Sequence, residues 1–174
     1  GKTTLGHLIT GLLHPNSGQV FYQGKNITCS SSRQQKHLKK EIQIIFQDPY
    51  SSLNPRISIG KAIEEPMKVH KVYNTRTERR QATEELLEAV GLSKDHYNRY
   101  PHEFSGGQRQ RIGIARCLSL QPKVIVCDES VSALDISVQA QVINLLEDLK
   151  EKFELTYIFI SHDLSVVRQF SDRI

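Results

Sequence analysis

The sequence predicts an α/β fold, a parallel sheet flanked by helices, with a smaller helical subdomain inserted into it. Three observations carry that expectation. Residues 41–46, 123–127 and Thr156–Ile160 are short apolar runs, the pattern of parallel strands buried on both faces. Polar stretches with helical periodicity separate them. Between Phe46 and Val124 no further run of this kind occurs, and residues 58–100 read as helical.

The 174 residues are enough for one domain with its own core, or a core with a small subdomain. A hydrophobic fraction of 38% with 24% charged residues is that of a globular chain. No apolar run approaches the ~20 residues of a membrane span, and no signal peptide is visible. The net charge of +4 suits an anionic ligand or a membrane surface and is too small to argue for nucleic acid. The three cysteines, Cys29, Cys117 and Cys127, have no metal-ligand spacing. Cys117 and Cys127 sit in apolar runs as small buried hydrophobes, which fits a reducing compartment. The chain opens with Gly inside a motif, and we read it as an internal fragment of a longer protein.

Taken in order, Gly1-Lys2-Thr3-Thr4 opens a helix expected to reach about Leu13. It matches the second half of the phosphate-binding pattern G-x-x-x-x-G-K-[ST], and taken alone it is also an ordinary exposed helix start. Residues 14–18 form a turn, 19–22 alternate as a strand, and 24–26 form another turn. Residues 30–40 are polar and basic, a loop leading into a solvated helix. The strand at 41–46 stops at Gln47-Asp48-Pro49. In the next helical stretch Ala82, Leu86, Ala89 and Val90 share a face, and Gly91 closes it. His102 has no second His or Cys at a useful spacing and reads as a surface or capping residue.

Ser105-Gly106-Gly107-Gln108 then begins a helix that Pro122 stops. Ser105 caps it, and the two glycines leave backbone N–H groups bare for an anion. Arg109 and Arg111 add full charges to the helix dipole. The strand at 123–127 ends in Asp128 and Glu129, two carboxylates at the edge where α/β proteins bind ligands. Acids also cap turns after strands. Asp135 is a helix N-cap candidate. The helix after it carries a core stripe of Val138, Val142, Leu145, Leu146, Leu149 and Phe153. The last strand, Thr156–Ile160, delivers Ser161-His162-Asp163 to the same edge, and residues 165–171 are helical.

These motifs, in this order, resemble the ATP-binding subunit of an ABC transporter, with a P-loop NTPase (RecA-like) core and a helical subdomain, truncated at both ends. The resemblance covers essentially the whole chain. Ser105 to Gln108 matches the family's signature motif, Val124 to Glu129 its Walker B strand, Ser132-Ala133-Leu134-Asp135 its D-loop, and His162 its switch histidine. The run Gln47-Asp48-Pro49-Tyr50-Ser51-Ser52-Leu53-Asn54-Pro55-Arg56 resembles the oligopeptide/dipeptide importer branch. The resemblance implies ATP and Mg²⁺. Gly1, Lys2, Thr3 and Thr4 would hold phosphates, and Thr3, Gln47 and Asp128 would hold Mg²⁺. Glu129 would be the general base and His162 its orienting partner. Ser105, Gly106, Gly107, Gln108 and Asp135 would close over ATP held by a second copy. Ser130 departs from the family, which usually has proline there, and removes no catalytic group.

The resemblance further implies a core of residues 1–47 and 113–174 with the helical subdomain at 48–112. It implies a second ATPase subunit paired head to tail, transmembrane permease subunits and an extracytoplasmic solute-binding protein, with no nucleic acid. Such a subunit sits on the cytoplasmic face of the membrane. The alternatives are a soluble ABC ATPase acting on ribosomes or DNA, or a motor for another solute such as nickel or glutathione. The absent front of the P-loop and tail imply that the chain alone folds and hydrolyses ATP poorly.

Overall fold

The computed structural model describes residues 1–28, 31–46, 48, 53–129 and 135–174, with the side chains of residues 32, 33 and 136 outside the description. Its centre is a parallel three-stranded sheet, β3 (Ile42–Ile45), β4 (Val124–Asp128) and β5 (Thr156–Ile160), in the order β3-β4-β5. Ile45 pairs with Cys127, and Asp128 with Ile160. The three strands therefore end level, and the chain leaves them side by side. This is the α/β architecture expected, with strand bounds within a residue or two of those read from the sequence.

Successive side chains of a strand face opposite ways, and the two faces of β4 are covered differently. Ile125 and Cys127 face the main core, built with Ile59, Ile63, Leu87, Ile112, Leu146 and Leu149. That core joins the sheet to α3 (Ile59–His70), α4 (Arg76–Ala89), α5 (Gly106–Leu118) and α6 (Ile136–Phe153). Val126 faces α1 (Lys2–Ile9), whose Gly6 lies so close that a Cβ there would come within 3.2 Å of Val126 and 3.1 Å of Ile160. The missing side chain at Gly6 lets α1 cross the sheet at contact distance.

Four local expectations change. Helix α1 ends at Ile9 rather than near Leu13. The Thr10 hydroxyl donates to the Gly6 and His7 carbonyls, Gly11 turns left-handed at φ 69°, and the Leu12 and Leu13 amides both return to His7. The turn expected at 24–26 is instead Gln23-Gly24, both with positive φ, closing a hairpin of β1 (Phe21–Tyr22) and β2 (Lys25–Asn26). In α4 the buried line is Ala82, Thr83, Leu87 and Val90, with Leu86 and Ala89 at its margin. Thr83 reads as polar in the sequence, but its hydroxyl donates to the Arg79 carbonyl, and the side chain is fully buried. In α6 the stripe holds from Val138, half-buried against the core, to Leu149 and gains Ile143, while Phe153 is exposed at the helix's last residue.

Other features follow the sequence. Gly91 closes α4 at φ 73°. The basic run forms α2 (Ser32–Glu41), started by a reciprocal Ser31/Gln34 capping box. Short 3-10 turns at Lys94–Asn98 and Pro101–Glu103 lead to α5, and α7 (Leu164–Phe170) follows β5. Cys117 and Cys127 are both buried, and burial pushes the Cys117 thiol up to about 11. Cys29 lies outside the described residues. The boundary expected between residues 112 and 113 falls inside α5, one continuous helix.

Candidate nucleotide site

The site grows from the level ends of β4 and β5. Because Asp128 pairs with Ile160, the next residues, Glu129 and Ser161-His162, leave the sheet together. The Glu129 amide still donates to the Ile160 carbonyl at 2.9 Å. Its own φ of 47° then turns the chain sharply out of the strand. That left-handed conformation is disfavoured for a residue with a side chain.

Seating α1 through Gly6 brings its first turn to this edge. The Thr3 hydroxyl donates to the Asp128 carboxylate at 3.2 Å, across 125 residues of sequence. Asp128 is 4% exposed, so its charge needs a partner. Gly1 caps α1 with no side-chain cap bond, and among the described residues nothing lies within 4 Å of a Cβ built there. Gly1, Lys2, Thr3 and Thr4 are all exposed, so the helix start faces outward with amides and dipole available to an anion.

On the other side of Asp128, His162 Nδ1 lies 3.6 Å from Glu129 Oε2. The carboxylate is largely covered and the imidazole largely open. Asp163, the next residue, caps the helix that follows the histidine. Its carboxylate accepts from the Ser165 hydroxyl and amide and the Val166 amide, fixing the start of α7. Those Ser165 bonds hold the Asp163 carboxyl below its usual range.

The second expected helix start differs. The Ser105 hydroxyl accepts from the Gln108 amide at 3.3 Å, and Gln108 Oε1 accepts from the Ser105 amide at 3.0 Å. This is the cap expected of Ser105. Gly107, expected to be bare, is buried: a Cβ there would come within 2.4 Å of Val138 Cγ1 on α6. Arg109 donates to the Pro101 carbonyl at 2.7 Å, and Arg111 to the Val90 carbonyl at 3.0 Å. Both guanidinium groups, expected to add charge for an anion, are braces within the fold.

The structure thus brings Thr3, Asp128, Glu129 and His162 to one edge. It places Ser105, Gly106, Gly107 and Gln108 at the head of α5, against α6. Gln47, Ser130 and residues 132–134 of the D-loop match lie outside the described residues. Asp135 is exposed and takes the N-cap position of α6 without a side-chain cap bond. Sequence reasoning missed Gly6, Asp163 and Val138. Gly6 carried a signal, a glycine inside a helix where it costs about 1 kcal/mol against alanine. Asp163 carried another, an acid just before a helix with serine two residues on. From the sequence Val138 reads only as core.

The oxygen donors fit Mg²⁺. A hydroxyl and a carboxylate 3.2 Å apart are the hard oxygen donors that Mg²⁺ takes.

An ABC transporter family model matches residues 1–132. The chain is 56% identical over 174 residues to the putative oligopeptide transport ATP-binding protein YkfD of Bacillus subtilis, covering 100% of this chain and 53% of that protein. It is 49% identical over 174 residues to the dipeptide transport ATP-binding protein DppF of Escherichia coli, covering 100% of this chain and 52% of that one. The chain spans about half the length of the curated relatives it matches. The dimeric post-hydrolysis structure of the ATP-binding cassette MJ0796 bound to ADP and Pi aligns at TM-score 0.82 and 28% identity, covering 97% of this chain and 72% of that one. The cbiO1 structure from Clostridium perfringens, part of the ABC transporter complex cbiONQ, aligns at 0.86 and 28%, covering 99% and 66%. On the family match and the shared architecture, the chain belongs to the ABC transporter family.

Proposed function

We propose that the full protein binds and hydrolyses ATP to power an ABC importer of di- and oligopeptides. The observation that carries this reading is the Thr3–Asp128 contact at 3.2 Å, with the Glu129–His162 pair beside it. Thr3 and Asp128, joined by Gln47, would hold Mg²⁺, which supplies charge neutralisation on the β- and γ-phosphates. Lys2 and the amides of Gly1 to Thr4 bind the same phosphates from the helix start.

Glu129 accepts a proton from the attacking water. The new bond joins that water's oxygen to the γ-phosphorus, and the bond from phosphorus to the β-bridging oxygen breaks, leaving ADP and inorganic phosphate. His162 keeps the Glu129 carboxylate aimed and contacts the γ-phosphate. Ser105, Gly106, Gly107, Gln108 and Asp135 face the ATP of a second ATPase subunit in a head-to-tail dimer. Closing and opening of that dimer drives two membrane subunits fed by an extracytoplasmic binding protein. We place the subunit on the cytoplasmic membrane surface; among the described residues no helix is long and apolar enough to cross a membrane. Residues 1–47 and 113–174 form the catalytic core of this scheme and 48–112 its helical arm.

The names of the relatives support peptides as the solute. The test is uptake of labelled di- and oligopeptides by cells carrying chromosomal Glu129→Gln. Loss of uptake with the protein expressed at its normal level is expected. Normal uptake would contradict peptide import and send the question to a panel of other solutes.

A further inference from the structure

The structure assigns Gly107 and Val138 as a positioning pair: position 107 is glycine because α6 needs the space, and Val138 sets where the head of α5 sits. The inference rests on the ATPase reading only for its consequence. Gly107 is buried, and a Cβ on it would come within 2.4 Å of Val138 Cγ1 and 3.8 Å of Val138 Cβ. Contact at 2.4 Å requires one helix to move. Valine in a helix has one strongly preferred rotamer, so its methyl does not swing aside. Gly106, one residue earlier, is only half-buried.

A second contact extends the seam. Arg111, one turn along α5, donates to the Val90 carbonyl at 3.0 Å and to Gln141 Oε1 of α6 at 3.5 Å. Gly91 provides room for that guanidinium: a Cβ there would lie 2.7 Å from Arg111 Nη1. The first two turns of α5 are thus held to the first two turns of α6 and to the end of α4. Helix α6 begins a few residues after Glu129. A displacement of α6 at its start carries Ser105 with it, linking the Glu129 end of β4 to the signature serine of the same subunit.

The test uses the full-length protein with Gly107→Ala, Val138→Ala and both together, assayed well below their thermal midpoints so that each is fully folded. Gly107→Ala is expected to lower ATP hydrolysis about tenfold or more and to lower the nucleotide-free midpoint, as overpacking does. Adding Val138→Ala is expected to recover at least about fivefold over Gly107→Ala alone, with a raised midpoint. Recovery of the midpoint without activity would overturn the inference, since the glycine would then be required by the nucleotide. A Gly107→Ala protein as stable and active as wild type would overturn it too. A midpoint that shifts and recovers while activity never changes would reduce the pair to packing and reject the positioning role. Wild-type protein without ATPase activity would reject the ATPase reading instead; the positioning claim is then read from the position of Ser105 by hydrogen exchange across residues 103–108, where Gly107→Ala raises exchange and the double variant restores it. Unchanged exchange would overturn it.

Discussion

Two glycine-bearing helix starts in this chain look alike as sequence and behave differently as structure. At α1, Gly1 caps the helix with no side-chain bond, and the first turn is exposed. At α5, a capping box satisfies the Ser105 and Gln108 amides, Gly107 is filled by Val138, and two arginines tie the turn to neighbouring carbonyls. The first start leaves its backbone amides outward and is held from below, through Gly6 against the sheet and the Thr3 hydroxyl on Asp128. The second is built into the protein's packing. A ligand meeting α1 finds unsatisfied amides. A ligand meeting α5 finds a rigid surface already braced from behind.

The sharpest way to break that comparison is to exchange the penalties. Lys2→Ala removes a charged donor from an exposed turn. It is expected to weaken ATP binding about tenfold to a hundredfold, the worth of a charge-assisted bond. Its nucleotide-free thermal midpoint should stay at the wild-type value. Calorimetric titration with ATP and a thermal scan check both halves. A large fall in midpoint would mean that α1 is as structural as α5.

Ser105→Ala should cost stability at α5, where its hydroxyl caps the helix. Loss of the cap costs about 1 kcal/mol of stability, read from a urea unfolding curve of the nucleotide-free protein. No stability loss would show that the start of α5 is held by Val138 and the arginines alone.

The helical arm offers a smaller, purely structural contrast. Glu64 is 2% exposed, and the Tyr97 hydroxyl donates to its carboxylate while Lys68 lies 3.3 Å from it. Gly60 makes room for the tyrosine ring. Burial, then the Glu64 bond and charge, push the Tyr97 hydroxyl up to about 12. A pKa raised in the fold favours the protonated form. The stabilisation is complete below the ordinary value of about 10 and is lost as pH rises toward about 12. Between about pH 9 and 11, the wild type should therefore lose more of its midpoint than Tyr97→Phe, which has no proton to release. Equal losses would contradict the assignment.

Much of the site was legible because its geometry follows from topology. An apolar strand ending in Asp128-Glu129 and another ending before His162 must deliver those residues to one edge when the strands are parallel and in register. The order of the motifs supplied the family. What was not legible was three-dimensional use of residues whose type is ambiguous. Gly107 lies where a Cβ would meet Val138, and sequence alone offered only exposure to an anion. Arg109 and Arg111 read as charges for a ligand, whereas long side chains beside helix ends also reach backbone carbonyls. Thr83 read as polar because its bond to Arg79 is invisible in a hydropathy pattern. The hairpin at Gln23-Gly24 was displaced by a residue because Gln23 takes a left-handed conformation that its type does not advertise.

The most direct test of the central claim is gel filtration of full-length Glu129→Gln with and without ATP, paired with a hydrolysis assay. ATP binding is expected to persist, hydrolysis to fall about 10²–10⁴-fold with loss of the general base, and a dimer to appear only with ATP. A protein that stays monomeric with ATP, or hydrolyses it at the wild-type rate, would contradict the role given to Glu129 and the shared site built on it.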